Sequence, residues 1–279
     1  MKIEQFMLKG DTHSKVKFVE SPNSSGELKA DTIVIHYTAG RDADSSVKTL
    51  CDPNARASAH LVVGRTGEIY QLVPFNKVAW HAGQSEYHLP DGTTRSGYNK
   101  YSIGIEIDNA GPLTKSGDKY VSWFGRAYEE NEVFYGTHRN ETTPRYWHRF
   151  TEDQIFLVQE ICTLLVREYN LKFILGHEEI SPKRKTDPGP AFPLDKMRER
   201  ILNPSRNQDE PEPAVFPADG TVTASKLNIR SQPSVAAEKI AQPLPQGKKI
   251  KIIKEMDGWY EVAVEIQGYV TKQFVEIKK

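Results

Sequence analysis

The chain has 279 residues, more than one domain usually takes, and this length predicts two domains. Lys and Arg together number 37, as do Asp and Glu, so the formal net charge is zero. That balance lacks the basic excess typical of nucleic-acid-binding proteins, and no nucleic-acid partner is predicted. Hydrophobic residues make up 38% and charged residues 27%, which is ordinary for a globular protein.

The N-terminus has no apolar core and no cleavage site, so a secretory signal is not predicted. The most apolar stretch, residues 155–166, is interrupted by polar residues, which argues against a membrane span. We therefore expect synthesis in the cytoplasm, with action there or export by a route such as phage lysis or a secretion system. Cys51 and Cys162 lack metal-binding spacing and are expected to be reduced thiols.

The first two hundred residues combine strand and helix patterns, which predicts an α/β domain. Thr32–Tyr37 and Lys172–Leu175 are short apolar runs typical of buried strands. Arg65–Gly67 separates two further strands as the turn of a hairpin. Helices are predicted at Asp44–Leu50 and after Thr151, where the sequence matches a capping box.

One predicted strand has two different faces. Tyr101–Asp108 alternates strictly between apolar and polar residues, and Glu106 lies on the polar face beside Gly104. A glycine there suggests open space above the strand, so we interpret this face as part of a cleft. A glutamate that faces solvent on an edge strand would produce the same pattern.

A charged loop, Gly176–Pro190, follows a predicted strand and contains His177, Lys185 and Asp187. Pro188 favours extended backbone at the residue before it. Residues two apart in extended backbone point the same way, so Lys185 and Asp187 are expected to project together. A cation and an anion that face one point suggest a metal ion and a reacting carbonyl there. A solvated ion-pair loop is the alternative.

The histidine that ends the first apolar strand, His36, stands where α/β proteins often carry their chemistry. With His177 and Asp187 it supplies two imidazoles and a carboxylate, a set suited to catalytic Zn²⁺ with water as fourth ligand. Such an ion lowers the pKa of its water to about 7 and polarises a carbonyl. Glu106 would take the proton and Lys185 would stabilise the oxyanion, and together these groups would hydrolyse an amide.

Five segments, in order, resemble the motifs of the type 2 (AmpD-like) zinc N-acetylmuramoyl-L-alanine amidases, which are related to the peptidoglycan recognition proteins. They are Thr32–Tyr37, Ser58–Val63, Ala79–Gly83, Ser102–Glu106 and Gly176–Phe192. The resemblance implies a mixed central sheet flanked by helices. It also implies that the chain acts on peptidoglycan or muropeptides and cuts the amide between the lactyl group of N-acetylmuramic acid and L-alanine.

By the same resemblance, His36, His177 and Asp187 take the zinc positions, and Glu106 and Lys185 take the catalytic positions. Some relatives have a cysteine as third ligand and no longer cleave, and others have a tyrosine at the glutamate position. The set in this chain therefore favours an active enzyme. A non-catalytic peptidoglycan receptor on the same fold and a zinc peptidase that acts on stem peptides are the alternatives.

Three further motif residues, His60, Trp80 and His81, are predicted to lie beside the substrate. For each of the two histidines, a structural hydrogen-bonding role is equally open. The remaining histidines fall in no motif and are predicted to lie on the surface: His13, His88, His138 and His148.

Composition predicts the domain boundaries. Residues 1–202 are assigned to the amidase domain, with a long inserted loop at 110–150 whose aromatic residues would wall the groove or pack onto the domain. Residues 203–215 are polar and proline-rich and are predicted as a linker. Nothing in the sequence predicts the oligomeric state.

The tail, residues 216–279, has the short strands and turns of a small all-β barrel. Three pieces, Leu227–Ser234, Gly258–Val262 and Gly268–Val270, resemble a bacterial SH3 domain. In wall-lytic enzymes such modules commonly hold the catalytic domain on peptidoglycan. A domain that only packs on the amidase and stabilises it is the alternative.

Overall fold

The computed structural model describes residues 1–11, 14–203, 216–224, 226–234, 237–256 and 258–265. The chain divides into a first unit, Met1–Asp209, and a second unit, Glu210–Lys279. The linker predicted at 203–215 lies, apart from its first residue, outside the described residues.

A six-stranded mixed sheet forms the centre of the first unit. Its strands are β1 (Val16–Phe18), β2 (Thr32–Tyr37), β3 (Leu61–Val63), β4 (Ile69–Gln71), β5 (Ser102–Ile107) and β6 (Phe173–Gly176). They lie in the order β6-β2-β5-β3-β4-β1. The strands β6, β2, β5 and β3 are parallel, whereas β4 is antiparallel to β3 and parallel to β1. The predicted mixed sheet is confirmed, and the carboxyl ends of β6, β2 and β5 meet at one edge.

Helices flank this sheet, as predicted. They are α1 (Ala43–Leu50), α2 (Glu152–Tyr169), α3 (His177–Ile180) and α4 (Leu194–Leu202). Helix α1 packs Ala43 and Val47 against Val62 of β3, and α2 contacts both β3 and α4. Cys162 is buried in α2, and Cys51 and Cys162 are both free thiols. Within the described residues, no helix combines the length and the apolar character needed to cross a lipid bilayer.

The start of α2 is tied to the end of β5. Thr151 Oγ1 accepts from the N–H of Gln154 at 3.2 Å, and Gln154 Oε1 accepts from the N–H of Thr151 at 3.0 Å. The predicted capping box is therefore present. The fully buried Gln154 also donates through Nε2 to the carbonyl of Asp108 at 2.7 Å. The side chain of Gln154 thus accepts a hydrogen bond at the start of α2 and also fixes the helix to the end of β5.

Residues 110–150, predicted as a long inserted loop, instead contain a five-stranded antiparallel sheet, which we call the insert sheet. Its strands are Pro112–Ser116, Lys119–Val121, Ala127–Tyr128, Val133–Thr137 and Pro144–His148. The loop prediction was wrong because the strands have only two to five residues, too few for a clear alternation. Aromatic cross-strand pairs stabilise the sheet, such as Tyr135 and Tyr146 with ring centroids 4.8 Å apart.

Further short elements complete the first unit. Three two-stranded antiparallel sheets pair Lys2–Glu4 with Met7–Lys9, Ser24–Glu27 with Lys77–Ala79, and Glu86–His88 with Thr94–Ser96. Single 3₁₀ turns cover Pro53–Ala55, Tyr98–Lys100 and Glu130–Glu132. Most of these elements have three residues, which is why residues 1–30 carry no periodic signal in the sequence.

The second unit is all strand and turn within its described residues. A three-stranded antiparallel sheet contains Ala218–Thr221, Lys249–Met256 and Trp259–Ala263. A two-stranded sheet pairs Lys226–Leu227 with Leu244–Pro245. The strands predicted at Tyr269–Val270 and Phe274–Ile277 lie outside the described residues.

Candidate metal centre

Three polar side chains converge where β6 and β2 end. His36 is the penultimate residue of β2, His177 opens α3 directly after β6, and Asp187 follows in the next loop. The Nδ1 atoms of His36 and His177 lie 2.9 Å apart, and Asp187 Oδ2 lies 2.8 and 2.9 Å from them, respectively. All three residues are buried. The three residues predicted as metal ligands thus form one compact triangle of donor atoms.

The surroundings of His177 determine which of its nitrogens carries the proton. Its Nε2 lies 3.1 Å from the carbonyl oxygen of Ala82, and a carbonyl oxygen only accepts. Arg184 Nη2 lies farther from the same nitrogen, at 3.4 Å, and donates to the carbonyls of Ala82 and Gln84 at 3.1 and 2.8 Å. Nε2 therefore carries the proton, and in the neutral ring Nδ1 directs a lone pair at the carboxylate of Asp187. Two acceptor atoms 2.9 Å apart repel each other unless a cation, either a metal ion or an added proton, lies between them. A metal-binding histidine typically has this second hydrogen bond to a carbonyl.

Burial and hydrogen bonding set the charges of the triangle. Burial, together with the neighbouring His177, lowers the pKa of His36 to about 4, which keeps its ring neutral. Burial alone would raise the pKa of Asp187, but the adjacent imidazoles of His177 and His36 outweigh it and hold that pKa well below the usual range. Imidazoles with an ionised carboxylate are the donors of a catalytic zinc site. Zinc bonds of about 2.0–2.1 Å at tetrahedral angles separate donors by about 3.3 Å, so the triangle needs to open by only a few tenths of an ångström.

Glu106 lies beside this triangle on the neighbouring strand. It pairs in register with His36 across β5 and β2, and side chains paired in this way point to the same face. Its Oε2 is buried and has no hydrogen-bond partner among the described residues. Burial and, less strongly, Asp187 raise the pKa of Glu106 to about 8, and Lys185 acts in the opposite direction. A buried carboxyl oxygen without a partner, next to metal-binding atoms, suits a group that exchanges protons with a water molecule.

Lys185 is half-buried in the loop that leads to Asp187. Its positive charge lowers the pKa of both Glu106 and His36. The carbonyl of Asp187 accepts from the N–H of Glu178 at 2.8 Å. The loop therefore brings a cation and a carboxylate to the same edge of the sheet.

Two of the residues predicted to contact substrate differ in exposure. His60 is fully buried, its Nε2 lies 2.9 Å from a main-chain carbonyl, and its Nδ1 accepts from the N–H of Gly104 at 3.0 Å. His60 therefore has the structural hydrogen-bonding role that the sequence left open. The prediction that it lies beside the substrate is corrected, because neither ring nitrogen is left to face a groove. Trp80 is half-buried, and its Nε1 donates to Ser25 Oγ at 3.2 Å.

The space above Gly104, predicted as part of an open cleft, is occupied by the imidazole of His81. A Cβ atom added to Gly104 would overlap Cγ of His81. Burial and, after it, His36 hold the pKa of His81 well below its ordinary value. The glycine thus makes room for a neutral side chain of the protein rather than for a ligand, because that ring packs directly onto β5.

Comparison with protein families identifies the fold. The family model for N-acetylmuramoyl-L-alanine amidase matches residues 26–190, which is more than half of the chain. The chain belongs to the N-acetylmuramoyl-L-alanine amidase family. A second model, for the bacterial SH3 domain, matches residues 225–276. Both resemblances drawn from the sequence motifs are confirmed.

Curated relatives include two amidases of this family. AmiD from Escherichia coli K12, an N-acetylmuramoyl-L-alanine amidase, is 33% identical over 177 residues, which cover 60% of this chain and 52% of AmiD. AmpD from Citrobacter freundii, a 1,6-anhydro-N-acetylmuramyl-L-alanine amidase, is 30% identical over 170 residues, 57% of this chain and 69% of AmpD. The chain thus spans about half the length of AmiD.

A solved structure of Escherichia coli AmiD holds the substrate anhydro-N-acetylmuramic acid-L-Ala-D-gamma-Glu-L-Lys. It aligns with 62% of this chain and 58% of that chain, at 32% identity and a TM-score of 0.44.

A buried charge network that the sequence analysis missed joins the turn after Val133–Thr137 of the insert sheet to the segment from His177 to Gly189. Glu178 is 2% exposed, and its Oε2 lies 2.6 Å from Nε2 of His138 and accepts from the N–H of Gly189 at 3.0 Å. Its Oε1 lies 2.8 Å from Nε of Arg139. The carboxylate of Glu178 therefore connects two chain segments that lie forty positions apart in the sequence.

Trp147 of the insert sheet packs against the same loop. Its ring is 1% exposed, and a Cβ atom on Gly189 would lie 3.1 Å from it. Gly189 has a φ of 73°, a left-handed conformation that favours glycine. Trp147 also stacks on His138 with centroids 5.7 Å apart. The insert sheet thus supports the loop that carries Asp187 through both packing and charge.

Two histidines predicted to lie on the surface are buried. His138 is 1% exposed in the Glu178 network, and His148 is 3% exposed with its Nδ1 accepting from the N–H of Ala110 at 3.1 Å. The surface prediction is wrong for both: His138 directly follows the strand Val133–Thr137 and His148 ends the strand Pro144–His148, in a sheet that the sequence analysis did not recognise. His88 is exposed as predicted, and His13 lies outside the described residues.

Replacing Glu178 with alanine should lower the free energy of unfolding of the first unit by about 3 kcal/mol, because His138 and Arg139 lose their buried anion. Urea denaturation followed by far-UV circular dichroism measures the change. Asp195→Ala is the matched control: Asp195 contacts the same Arg139 at 3.1 Å, but its side chain is 71% exposed. That variant should lose less than about 1 kcal/mol. Equal losses in the two variants would contradict the buried network.

Proposed function

We propose that the chain is a zinc-dependent N-acetylmuramoyl-L-alanine amidase that cuts the amide between the lactyl group of N-acetylmuramic acid and L-alanine of the stem peptide. The observation that carries this proposal is the buried triangle of His36, His177 and Asp187 beside the partnerless oxygen of Glu106. Membership of the family supports the reaction, and so do the amidase names of the relatives AmiD and AmpD.

His36, His177 and Asp187 would hold the metal ion. Bound zinc lowers the pKa of a coordinated water and polarises a carbonyl group as a Lewis acid. Two nitrogen donors and one carboxylate suit zinc better than magnesium or calcium, which prefer oxygen ligands.

Glu106 is suited to move a proton during the reaction. Burial raises its pKa to about 8, and a divalent cation bound nearby would lower that pKa because opposite charges favour ionisation. Ionised Glu106 would accept a proton from the attacking water and return it to the leaving amine of L-alanine. Its Oε2, which has no partner among the described residues, can do this without breaking an existing hydrogen bond.

Lys185 would stabilise the negative charge that develops on the carbonyl oxygen of the scissile amide. Its ammonium acts on both Glu106 and His36, which lie on adjacent strands at the reacting edge. A cation fixed where charge develops in the transition state lowers the barrier without tightening ground-state binding.

His177→Ala should lose both zinc and activity, whereas Glu106→Gln should keep zinc and lose activity by at least about 100-fold. The first variant removes a metal ligand, and the second removes only the proton carrier. Zinc content is measured by mass spectrometry after dialysis, and activity by the release of free L-alanine amino termini from purified cell wall. If wild type and Glu106→Gln release equally little, the receptor alternative holds. New termini inside the stem peptide would instead indicate a peptidase.

Lys185→Met should lower kcat about 100-fold with unchanged zinc content, because it removes the cation that faces the developing oxyanion. Steady-state kinetics on a soluble muropeptide measure kcat and KM separately. Lys183→Met is the matched control, since Lys183 is an exposed lysine of the same loop. A similar loss in the control would attribute the effect to the charge of the loop rather than to Lys185.

The second unit supports a polymeric substrate. We propose that the SH3 domain matched at 225–276 holds the enzyme on peptidoglycan, so sacculi should be cleaved faster than soluble anhydro-muropeptides at equal bond concentration. The local concentration of bonds around a retained enzyme is the physical reason. Mass spectrometry of products from parallel digests measures both rates. Faster cleavage of the soluble substrate would contradict the proposal.

A further inference from the structure

His81 contacts the metal-binding triangle, and the reaction proposed above does not assign it a role. Its Nδ1 lies 2.9 Å from Nε2 of His36, and the two rings meet edge to face at 82° with centroids 5.1 Å apart. This is a contact to the second nitrogen of a ligand imidazole. Such contacts fix the tautomer of a metal-binding histidine.

The direction of this hydrogen bond follows from the far side of the His81 ring. There, Nε2 lies 3.2 Å from the carbonyl oxygen of Ser102, which only accepts. The hydroxyl of Ser102 lies 3.3 Å from the same nitrogen and already donates to the carbonyl of Tyr98 at 2.6 Å, so it too presents an acceptor. Nε2 of His81 therefore carries the proton, and in the neutral ring Nδ1 is an acceptor.

An acceptor at Nδ1 of His81 requires His36 to donate from Nε2. A neutral His36 with its proton on Nε2 has a lone pair on Nδ1, the atom that faces Asp187. We propose that His81 is a positioning residue: it accepts the proton of His36 Nε2 and thereby holds His36 in the tautomer whose Nδ1 binds the metal. This inference rests on the metal centre of the proposed function.

The position of His81 is itself fixed. The N–H groups of His81 and Ala82 both donate to Asn99 Oδ1, at 3.0 and 2.7 Å. Gly104 lacks the side chain that would displace the ring. Both ring nitrogens are engaged inside the protein, so the earlier prediction that His81 contacts substrate gives way to this positioning role.

The residue after His81 performs the same task for the other ligand imidazole. The carbonyl of Ala82 accepts from Nε2 of His177 at 3.1 Å. The dipeptide His81–Ala82 thus sets the proton on both ligand histidines, through a side chain in one case and the main chain in the other. This explains why the segment Ala79–Gly83 belongs to the site although none of its residues is in the triangle.

Two amide substitutions separate the role of each ring nitrogen. His81→Asn places an amide oxygen near the position of Nδ1 and keeps an acceptor for His36. His81→Gln reaches the position of Nε2, keeps a donor for Ser102 and removes that acceptor. With the full chain, competition against a chromogenic chelator measures the Kd for zinc. We expect binding about 10–100-fold weaker in His81→Gln and within about threefold of wild type in His81→Asn.

His60→Gln is the control for general damage to this region. His60 is fully buried, its ring lies 5.9 Å from that of His81, and its own hydrogen bonds go to Gly104 and Lys77. Its substitution should lower the unfolding temperature and leave the zinc Kd unchanged. Equal zinc affinity in wild type and His81→Gln, or equal losses in the Asn and Gln variants, would overturn the positioning role.

Nitrogen-15 chemical shifts of the histidine rings provide a readout that needs no variant. In the metal-free wild type, His36 should carry its proton on Nε2, and a proton on Nδ1 of the neutral ring would overturn the inference. Failure of the two proposals is distinguishable. A wild-type chain that binds no zinc refutes the metal centre, whereas tight zinc binding that is unchanged in His81→Gln refutes only the role of His81.

Discussion

Three atoms with lone pairs are forced together inside the first unit: Nδ1 of His36, Nδ1 of His177 and Oδ2 of Asp187. Burial removes the water that would otherwise solvate them, so the arrangement requires a cation for its stability. The architecture serves this constraint. Parallel strands β2 and β6 end side by side and supply the imidazoles, and the loop after α3 supplies the carboxylate. Glu106 lies beside the cluster on β5, paired in register with His36.

The donor atoms of a metal site keep their positions only if the segments that carry them are rigid. Two of the three proposed metal ligands lie at a strand end or a helix start, but Asp187 lies in a loop. Support for that loop comes from Trp147 of the insert sheet, which packs on Gly189, and from His138, which directly follows a strand of that sheet and pairs with buried Glu178. The insert sheet therefore has a structural function at the metal centre, whatever else its exposed aromatic residues contact.

The segment Ala79–Gly83 controls which ring nitrogen of His36 and of His177 carries the proton. A ligand histidine with the wrong tautomer would direct an N–H group at the metal, and the energetic cost of that error is large in a buried site. The ring of His81 fixes the tautomer of His36, and the carbonyl of Ala82 fixes the tautomer of His177. The absence of a side chain at Gly104 is the condition for this arrangement, since β5 would otherwise exclude the ring.

The sequence by itself determined the parts that depend on local pattern: the strands around Thr32–Tyr37 and Tyr101–Asp108, the capping box of α2, the family and the residue types of the metal set. It did not determine the insert sheet, because strands of two to five residues have too few positions for periodicity to show. Nor could it separate His60 from His81, which occupy similar motifs. Only the tertiary structure decided that one bonds to the main chain and the other to a metal ligand. The hydrogen-bond partner of a side chain depends on which distant segments fold next to it. A local sequence pattern does not contain that information.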